Sequence, residues 1–410
     1  MPIQLSRAAA AAVRRGHPWV YRDGLARAPS GRSVTMGAAV ELADEEGAFL
    51  GRALWDAESP ICARVFERAA DRPLDAGSII DRIERALRVR DALFGDDTTA
   101  YRLCNGEGDR VPGLVLDRYG EVAVLRVDGG ALIPWLDRLR GPLAGLLKRR
   151  GVRQIGLRRS DAIERAGAPG RPPAKGDVKE PPGGPKLLPF HGGEIPERVM
   201  VLERGVRMEV DLARGQKTGA FLDQRENRAR VRALAARGGR VLNLFSYAGG
   251  FSVAAALGGA AHVTSVDSAA AAHATAQRSF RANGVDPGAH AFVAADVFAF
   301  LDQARARRDR YDLVISDPPS FAPSERAKPK AMSAYRRLHA AAAGVLAEGG
   351  IFCAASCSSH VSAEDFASTL DDAALGRDDL RLLALHGQPE DHPTLPAWFE
   401  GRYLKFAILG

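Results

Sequence analysis

Cys357 lies in the run Ala355-Ser356-Cys357-Ser358-Ser359, and forty residues upstream Asp317 lies in Ile315-Ser316-Asp317-Pro318-Pro319-Ser320-Phe321. A placed thiolate beside an Asp-Pro-Pro loop suggests covalent methylation of a pyrimidine. Carbon 5 of cytosine is a poor nucleophile until something adds to carbon 6 and turns the ring into an enamine, and a thiolate can make that addition. Asp317 would then hydrogen-bond or protonate the ring at nitrogen 3 and stabilise the charge that develops during attack. The competing reading of a cysteine without a disulfide is a small buried hydrophobe, and it is assigned to Cys62, Cys104 and Cys353. Cys357 differs because it follows the apolar segment Ile351-Phe352-Cys353-Ala354-Ala355 and is flanked by serines, as suits a strand end facing a cleft. The four cysteines have no CxxC spacing and no accompanying histidine cluster, so neither a metal site nor a disulfide scaffold is expected.

Such residues need a frame, and from about residue 194 strands alternate with helices, the pattern of a parallel sheet covered on both faces. The first strand, 240–245, runs into Ser246-Tyr247-Ala248-Gly249-Gly250-Phe251-Ser252, where the glycine pair lets a ligand touch backbone amides. The second, 262–266, ends in Asp267, eighteen residues beyond Gly249, where an acid accepts the ribose hydroxyls of an adenosine cofactor. The third is expected over 291–297, so that Asp296 reaches the adenine amino group. The fourth, 311–316, delivers Asp317-Pro318-Pro319 to the carboxyl edge. A dinucleotide fold would want Gly-x-Gly-x-x-Gly in the first loop, and that spacing is missing. The ordered set therefore points to S-adenosyl-L-methionine, held by Asn243, Phe245, Ser246, Tyr247, Gly249, Asp267, Ser268, Asp296, Val297, Asp317 and Pro318. Helix capping is the alternative for Asp267 and Asp296.

Four segments are expected in the 410 residues: a β-rich module over 1–75, a small α+β domain over 76–165, a linker or insertion over 166–193, and an α/β Rossmann-like domain over 194–410. Gly and Pro supply 14 of the 28 positions in 166–193. The net charge of +7 leans toward a polyanionic partner. The first forty residues hold six arginines, Arg7, Arg14, Arg15, Arg22, Arg27 and Arg32, against the single acid Asp23, a bias that suggests a phosphate-facing surface centred on Arg14 and Arg15. A second basic run, Arg326, Lys328 and Lys330 with Arg336 and Arg337, follows the Asp317 loop. A solvated helix face is the competing reading there, and it is the one given to Arg305, Arg307, Arg308 and Arg310. His17 and Trp19 are read as core. No apolar run reaches membrane-spanning length and the N-terminus lacks a signal peptide's apolar region, so a cytoplasmic protein with no membrane association is expected.

The run from Gly215-Gln216-Lys217-Thr218-Gly219-Ala220-Phe221-Leu222-Asp223-Gln224-Arg225 to Arg228, with the glycine loop, the Asp-Pro-Pro-Ser-Phe loop and the Ser-Cys-Ser turn, resembles the bacterial 23S rRNA large-subunit methyltransferase I family. Arg15-Gly16-His17-Pro18-Trp19-Val20-Tyr21 and Ser59-Pro60-Ile61-Cys62-Ala63-Arg64 are similar to its N-terminal PUA domain, and Gly108-Asp109-Arg110-Val111-Pro112-Gly113 to the start of its middle domain. Asp391-His392-Pro393 and Glu400-Gly401-Arg402-Tyr403-Leu404-Lys405 match near the C-terminus. The resemblance implies a class I methyltransferase making 5-methylcytosine in 23S rRNA, with Cys357 as nucleophile and Phe221, Asp223, Gln224 and Arg225 beside the cofactor. Two departures stand out: Ala220 replaces an aromatic, and 166–193 is long. Ser320 stands where many RNA 5-methylcytosine enzymes carry a second cysteine, as the resemblance to the single-cysteine group implies. The other readings kept open are a guanine N-methyltransferase acting on rRNA and an inactive module that binds cofactor and RNA. The sequence does not choose the cytosine or the assembly, with a homodimer among the forms it allows.

Overall fold

A computed structural model describes residues 2–27, 34–158 and 187–410. The chain forms two compact units, one of Met1–Val199, Val210–Ala220 and Glu390–Gly401, the other of Met200–Glu209, Phe221–Pro389 and Arg402–Gly410.

In the first unit, strands β1 (Ile3–Gln4), β2 (Trp19–Tyr21), β3 (Ala39–Ala43), β4 (Phe49–Trp55) and β5 (Ile61–Glu67) make a sheet in the order β1-β3-β4-β5-β2. Helix α1 (Arg7–Arg15) starts where the Ser6 hydroxyl accepts from the Ala9 amide, and ends at Gly16, whose φ of 106° stops the helix. It buries Ala10 and Val13 and leaves Arg14 and Arg15 in its exposed last turn. A second sheet, in the order β10-β9-β8-β7-β6, comprises β6 (Ala100–Asn105), β7 (Leu114–Tyr119), β8 (Val122–Val127), β9 (Gln154–Arg158) and β10 (Leu187–His191). Helices α2 (Ala76–Leu93), opened by the Asp75–Ser78 capping box, and α3 (Leu136–Lys148) pack with it.

Two expectations change here. Residues 187–191, placed in the linker by composition, are β10, paired antiparallel with β9 and burying Phe190. The Leu187-Leu188-Pro189-Phe190 run was hidden among prolines and glycines, and its proline is tolerated because β10 is an edge strand. The part of the expected linker from 166 to 186 lies outside the described residues. In addition, Leu54, Phe66 and Leu74 from the β-rich segment belong to the same core as Ile79, Leu103, Leu125 and Leu143, so 1–75 and the segment after it bury apolar surface together.

The second unit carries a seven-stranded sheet in the order β15-β14-β13-β16-β17-β19-β18. Its strands, following the hairpin of β11 (Arg198–Glu203) and β12 (Val206–Asp211), are β13 (Arg240–Leu244), β14 (His262–Asp267), β15 (Ala291–Ala294), β16 (Tyr311–Ser316), β17 (Leu346–Ser356), β18 (Leu382–His386) and β19 (Lys405–Leu409). The first five of these seven run parallel, and β19 inserts antiparallel between β17 and β18. Both faces are covered. Leu242, Leu244, Val314 and Phe352 meet Phe300 and Leu301 of α7 (Val297–Ala306) and Tyr335 and Leu338 of α8 (Lys328–Ala343) on one side. Val241, Val263, Leu313, Ile315 and Cys353 meet Val231 of α4 (Arg225–Leu234) and Phe251 and Ala255 of α5 (Gly250–Gly258) on the other. Successive strand residues alternate between two apolar cores, which is why these strands read as continuous apolar runs. Strand β15 ends at Ala294, shorter than expected. Asp296 caps α7 by accepting from the Ala299 amide at 3.0 Å, and Val297 is the first helical residue.

Candidate active site

Strand order reverses between β13 and β16, so the loops that follow these two strands diverge and leave a crevice at their carboxyl ends. After β13 the chain takes a constrained path: Phe245 and Tyr247 have φ of +57° and +45°, and Gly249 has +74°. Two non-glycine residues in the left-handed region cost about 1–3 kcal/mol each and persist only where their surroundings hold them. Here the Ser246 amide donates to the Val266 carbonyl at 3.0 Å, the Gly249 amide to the Ser246 carbonyl at 2.8 Å, and the Tyr247 amide to Asp267 Oδ2 at 2.8 Å. A Cβ at Gly249 would sit 2.5 Å from the Ala276 Cβ of helix α6 (Ala270–Ala282), so the loop-to-helix approach requires glycine.

Asp267 therefore shapes the loop as well as facing the crevice. Its second oxygen accepts from the Ala269 amide at 2.8 Å, and each carboxylate oxygen keeps a further lone pair for a ribose hydroxyl. Beneath the loop, Asn243 donates to Ser252 at 2.8 Å, and Ser252 and Ser265 share a 2.7 Å bond. Asn243 Oδ1, Ser246 Oγ and Ser316 Oγ are buried at the ends of β13 and β16 without a protein partner. Leaving such groups unpaired costs about 1–3 kcal/mol each, so a polar ligand or water at this edge is what the site accommodates. Phe221 meets Tyr247 edge-on, with ring centroids 5.5 Å apart. The donor set, with an acid at the β14 end, another at the α7 cap and aromatic rings beside the loop, fits S-adenosylmethionine. Ser268 and Asp296 are exposed, whereas Val297 turns its side chain into the core.

The loop after β16 is wired to the segment before α4. Gln224 donates to Asp317 Oδ1 at 3.0 Å and accepts from Asn227 at 2.6 Å, which orients the half-buried Asp317 carboxylate. Pro318 is buried beside it. Asp223 accepts from the Tyr403 hydroxyl at 2.7 Å. Arg225 is fully buried and pairs with Glu226 at 3.1 Å, while Arg228 pairs with buried Glu203 and donates to the Phe221 carbonyl. Lys217-Thr218-Gly219, by contrast, belongs to the first unit, where the Thr218 hydroxyl meets Asp117 and Tyr119.

Cys357 follows the last residue of β17 and is partly exposed, whereas Cys353, four residues earlier in the strand, is enclosed and burial pushes its thiol up. The serines on either side of Cys357 are both buried. Ser358 shares a 2.8 Å bond with Ser320 of the Asp-Pro-Pro loop, and the Tyr335 hydroxyl donates to Ser356 at 2.9 Å. The proposed nucleophile and Asp317 are thus held in adjoining turns by one hydroxyl network. The sequence reading did not single out Tyr335, nor Lys405, which donates to the carbonyl oxygens of Ser358, Val361 and Tyr403. Each left a signal: Tyr335 is at helical spacing with Leu338 and Ala342, and Lys405 is a lone charge opening an apolar strand.

The basic residues divide. Arg326 and Lys330 are exposed at the start of α8, while Lys328 pairs with Asp365 at 2.6 Å. On α1, Arg14 pairs with Asp44 and Arg15 is exposed. Arg22 donates to backbone carbonyls, and Arg32 lies outside the described residues. Trp19, half-buried, donates to buried Glu107 at 2.7 Å and meets Trp398 edge-on. Among the described residues no cluster of His, Cys, Asp or Glu is placed to hold a metal ion, and no helix is long and apolar enough to cross a membrane.

A parallel sheet reversing between β13 and β16, a strained glycine loop and acids at the β14 end, the α7 cap and the loop after β16 define a class I S-adenosylmethionine-dependent methyltransferase. The family model described as S-adenosylmethionine-dependent methyltransferase matches residues 187–397, and a PUA-like domain model matches residues 3–68. The chain is 39% identical to a ribosomal RNA large subunit methyltransferase of Deinococcus radiodurans, over 99% of this chain and 96% of that protein. It is 32% identical to ribosomal RNA large subunit methyltransferase I of Erwinia tasmaniensis, over 95% and 94%. A methyltransferase solved in complex with SAH shares the fold at a TM-score of 0.84 and 25% identity, covering 100% of this chain and 99% of that one. The chain belongs to the ribosomal RNA large subunit methyltransferase I family, and its methyl donor is S-adenosylmethionine.

Proposed function

We propose that the protein methylates carbon 5 of a cytosine in 23S ribosomal RNA, through a transient bond between Cys357 and carbon 6. The observation that carries this reading is the partly exposed Cys357 at the end of β17, in a turn hydrogen-bonded through Ser358 and Ser320 to the loop of Asp317. The relatives' names support a ribosomal RNA substrate, and such a substrate supports a cytoplasmic location. The target base must leave its stack to reach the crevice. S-adenosylmethionine supplies an electrophilic methyl group on a sulfonium. Asp317, held by Gln224 and acting as the protonated acid, donates a hydrogen bond or its proton to nitrogen 3 and so offsets the negative charge that develops there as the Cys357 sulfur bonds carbon 6. The enamine electrons then form the bond from carbon 5 to the methyl carbon as the methyl–sulfonium bond breaks, its electron pair staying on sulfur so that S-adenosylhomocysteine leaves. Loss of the carbon 5 proton to water restores the ring double bond and expels the Cys357 thiolate. Exposed arginines of the PUA-like segment and of α8 contact phosphates.

RNA carrying 5-fluorocytosine at the target tests the chemistry, because fluorine cannot leave as a proton and elimination stalls. A denaturing gel should show a protein–RNA adduct that peptide mapping places on Cys357, and Cys357→Ala should retain cofactor binding without methyl transfer. Full methyl transfer by Cys357→Ala, with label appearing on guanine, would replace this reading with amine methylation.

A further inference from the structure

Lys405 is 4% exposed at the head of an otherwise apolar strand. Its cross-strand neighbour in the β17–β19 register is Ser356, the residue before Cys357. The ammonium donates to the carbonyl oxygens of Ser358 at 2.5 Å, Val361 at 2.7 Å and Tyr403 at 2.8 Å. Two of these three acceptors belong to the segment that carries Cys357 away from the sheet. Carbonyl dipoles solvate a cation but do not neutralise it, so a positive field persists in the turn. The charged groups facing Lys405 are Cys357 itself and Asp365 of helix α9 (Ala363–Ala367), and Asp365 is engaged by Lys328. Tyr335 of α8, which bonds Ser356 and Ser358, completes the surroundings of the turn as a neutral phenol, its hydroxyl pKa raised mainly by burial.

We propose that Lys405 is a positioning residue of this reaction: it pins the Cys357 turn to β19 and supplies the positive charge that keeps Cys357 as a thiolate. The inference rests on the reading of Cys357 as the nucleophile. Burial pulls the Lys405 ammonium down to about 8, with the charges of Cys357 and Asp365 opposing that shift, so the ammonium is retained near neutral pH. Cys353 shows the contrast, since burial without such a cation raises its thiol.

The test is the rate of Cys357 carboxamidomethylation by iodoacetamide in the full chain without RNA, followed by peptide mass mapping from pH 5 to 10. Lys405→Met removes the charge while keeping side-chain length, and Lys405→Gln keeps a hydrogen-bond donor. In either variant that still binds S-adenosylmethionine by calorimetry, the alkylation midpoint should rise by about one pH unit or more, roughly tenfold slower alkylation near pH 7. Lys405→Arg should stay close to wild type, which a merely packing role would not require. Profiles of the neutral variants superimposable on wild type overturn the proposal. Absence of the 5-fluorocytosine adduct in the wild-type protein would instead sink the nucleophile reading, and leaves the alkylation profile as a separate result.

Discussion

Two carboxylates at the crevice have different work despite similar positions. Asp267 fixes Tyr247 in its left-handed conformation through the amide hydrogen bond, whereas Asp296 spends one oxygen capping α7 at an exposed position. We expect Asp267→Ala to weaken S-adenosylmethionine binding by about 10- to 100-fold, since a hydrogen bond to a charged acceptor contributes roughly 1.5–3 kcal/mol. Titration calorimetry on the folded variant checks this, and unchanged affinity would remove Asp267 from the cofactor site. Cys353→Ala, inside the core between β16 and β19, should lower the melting temperature by a few degrees and leave methyl transfer near wild type.

Helix contacts set how firmly these residues are held. Gly249→Ala would push a methyl into Ala276 of α6 and force a residue with a side chain to φ +74°, so it should cost about 1–3 kcal/mol and loosen the cofactor loop. Thermal unfolding with and without S-adenosylmethionine reads both effects; a wild-type melting temperature would show that α6 can shift. Helix α8 carries His339, enclosed among Tyr335, Phe352 and Phe366, with burial pulling its imidazole down to about 4. The folded state therefore binds this proton more weakly than the unfolded chain, whose imidazole titrates near 6.5. The stability tied to neutral His339 is fully present above pH 6.5 and is lost as pH falls toward 4, up to about 3 kcal/mol. Urea midpoints of wild type and His339→Gln should converge as pH drops through that window, and parallel curves would contradict it.

At the scale of the whole chain, charge decides how RNA is met. Removing residues 1–75 is a poor probe of the PUA-like segment, because Leu54, Phe66 and Leu74 fill the core shared with α2 and the second sheet. Substitution at exposed Arg7 and Arg15 of α1 avoids that cost. The Arg7→Gln/Arg15→Gln variant should bind ribosomal RNA more weakly, and the slope of log affinity against log salt should fall by roughly 0.7–0.9 for each phosphate that is no longer neutralised. Filter binding at several salt concentrations measures the slope, and an unchanged slope would mean that α1 faces away from RNA.

The sequence by itself determined the alternating α/β pattern from about residue 194, the acid that ends β14 and the distinction between Cys357 and Cys353. These are local features: strand periodicity, a glycine pair and a thiol beyond the end of an apolar run are written in neighbouring residues. The tertiary structure decided what depends on chain segments meeting from far apart. Residues 187–191 become a strand only because β9 offers an edge, against the composition around them. Gln224 orients Asp317 across 93 positions, and Tyr335 and Lys405 reach the Cys357 turn across 21 and 47, from a helix and a strand whose own sequences report only packing. Lys405 carries the lesson furthest: a buried ammonium is tolerable where three carbonyls converge, and that convergence exists only after β19 has paired with β17.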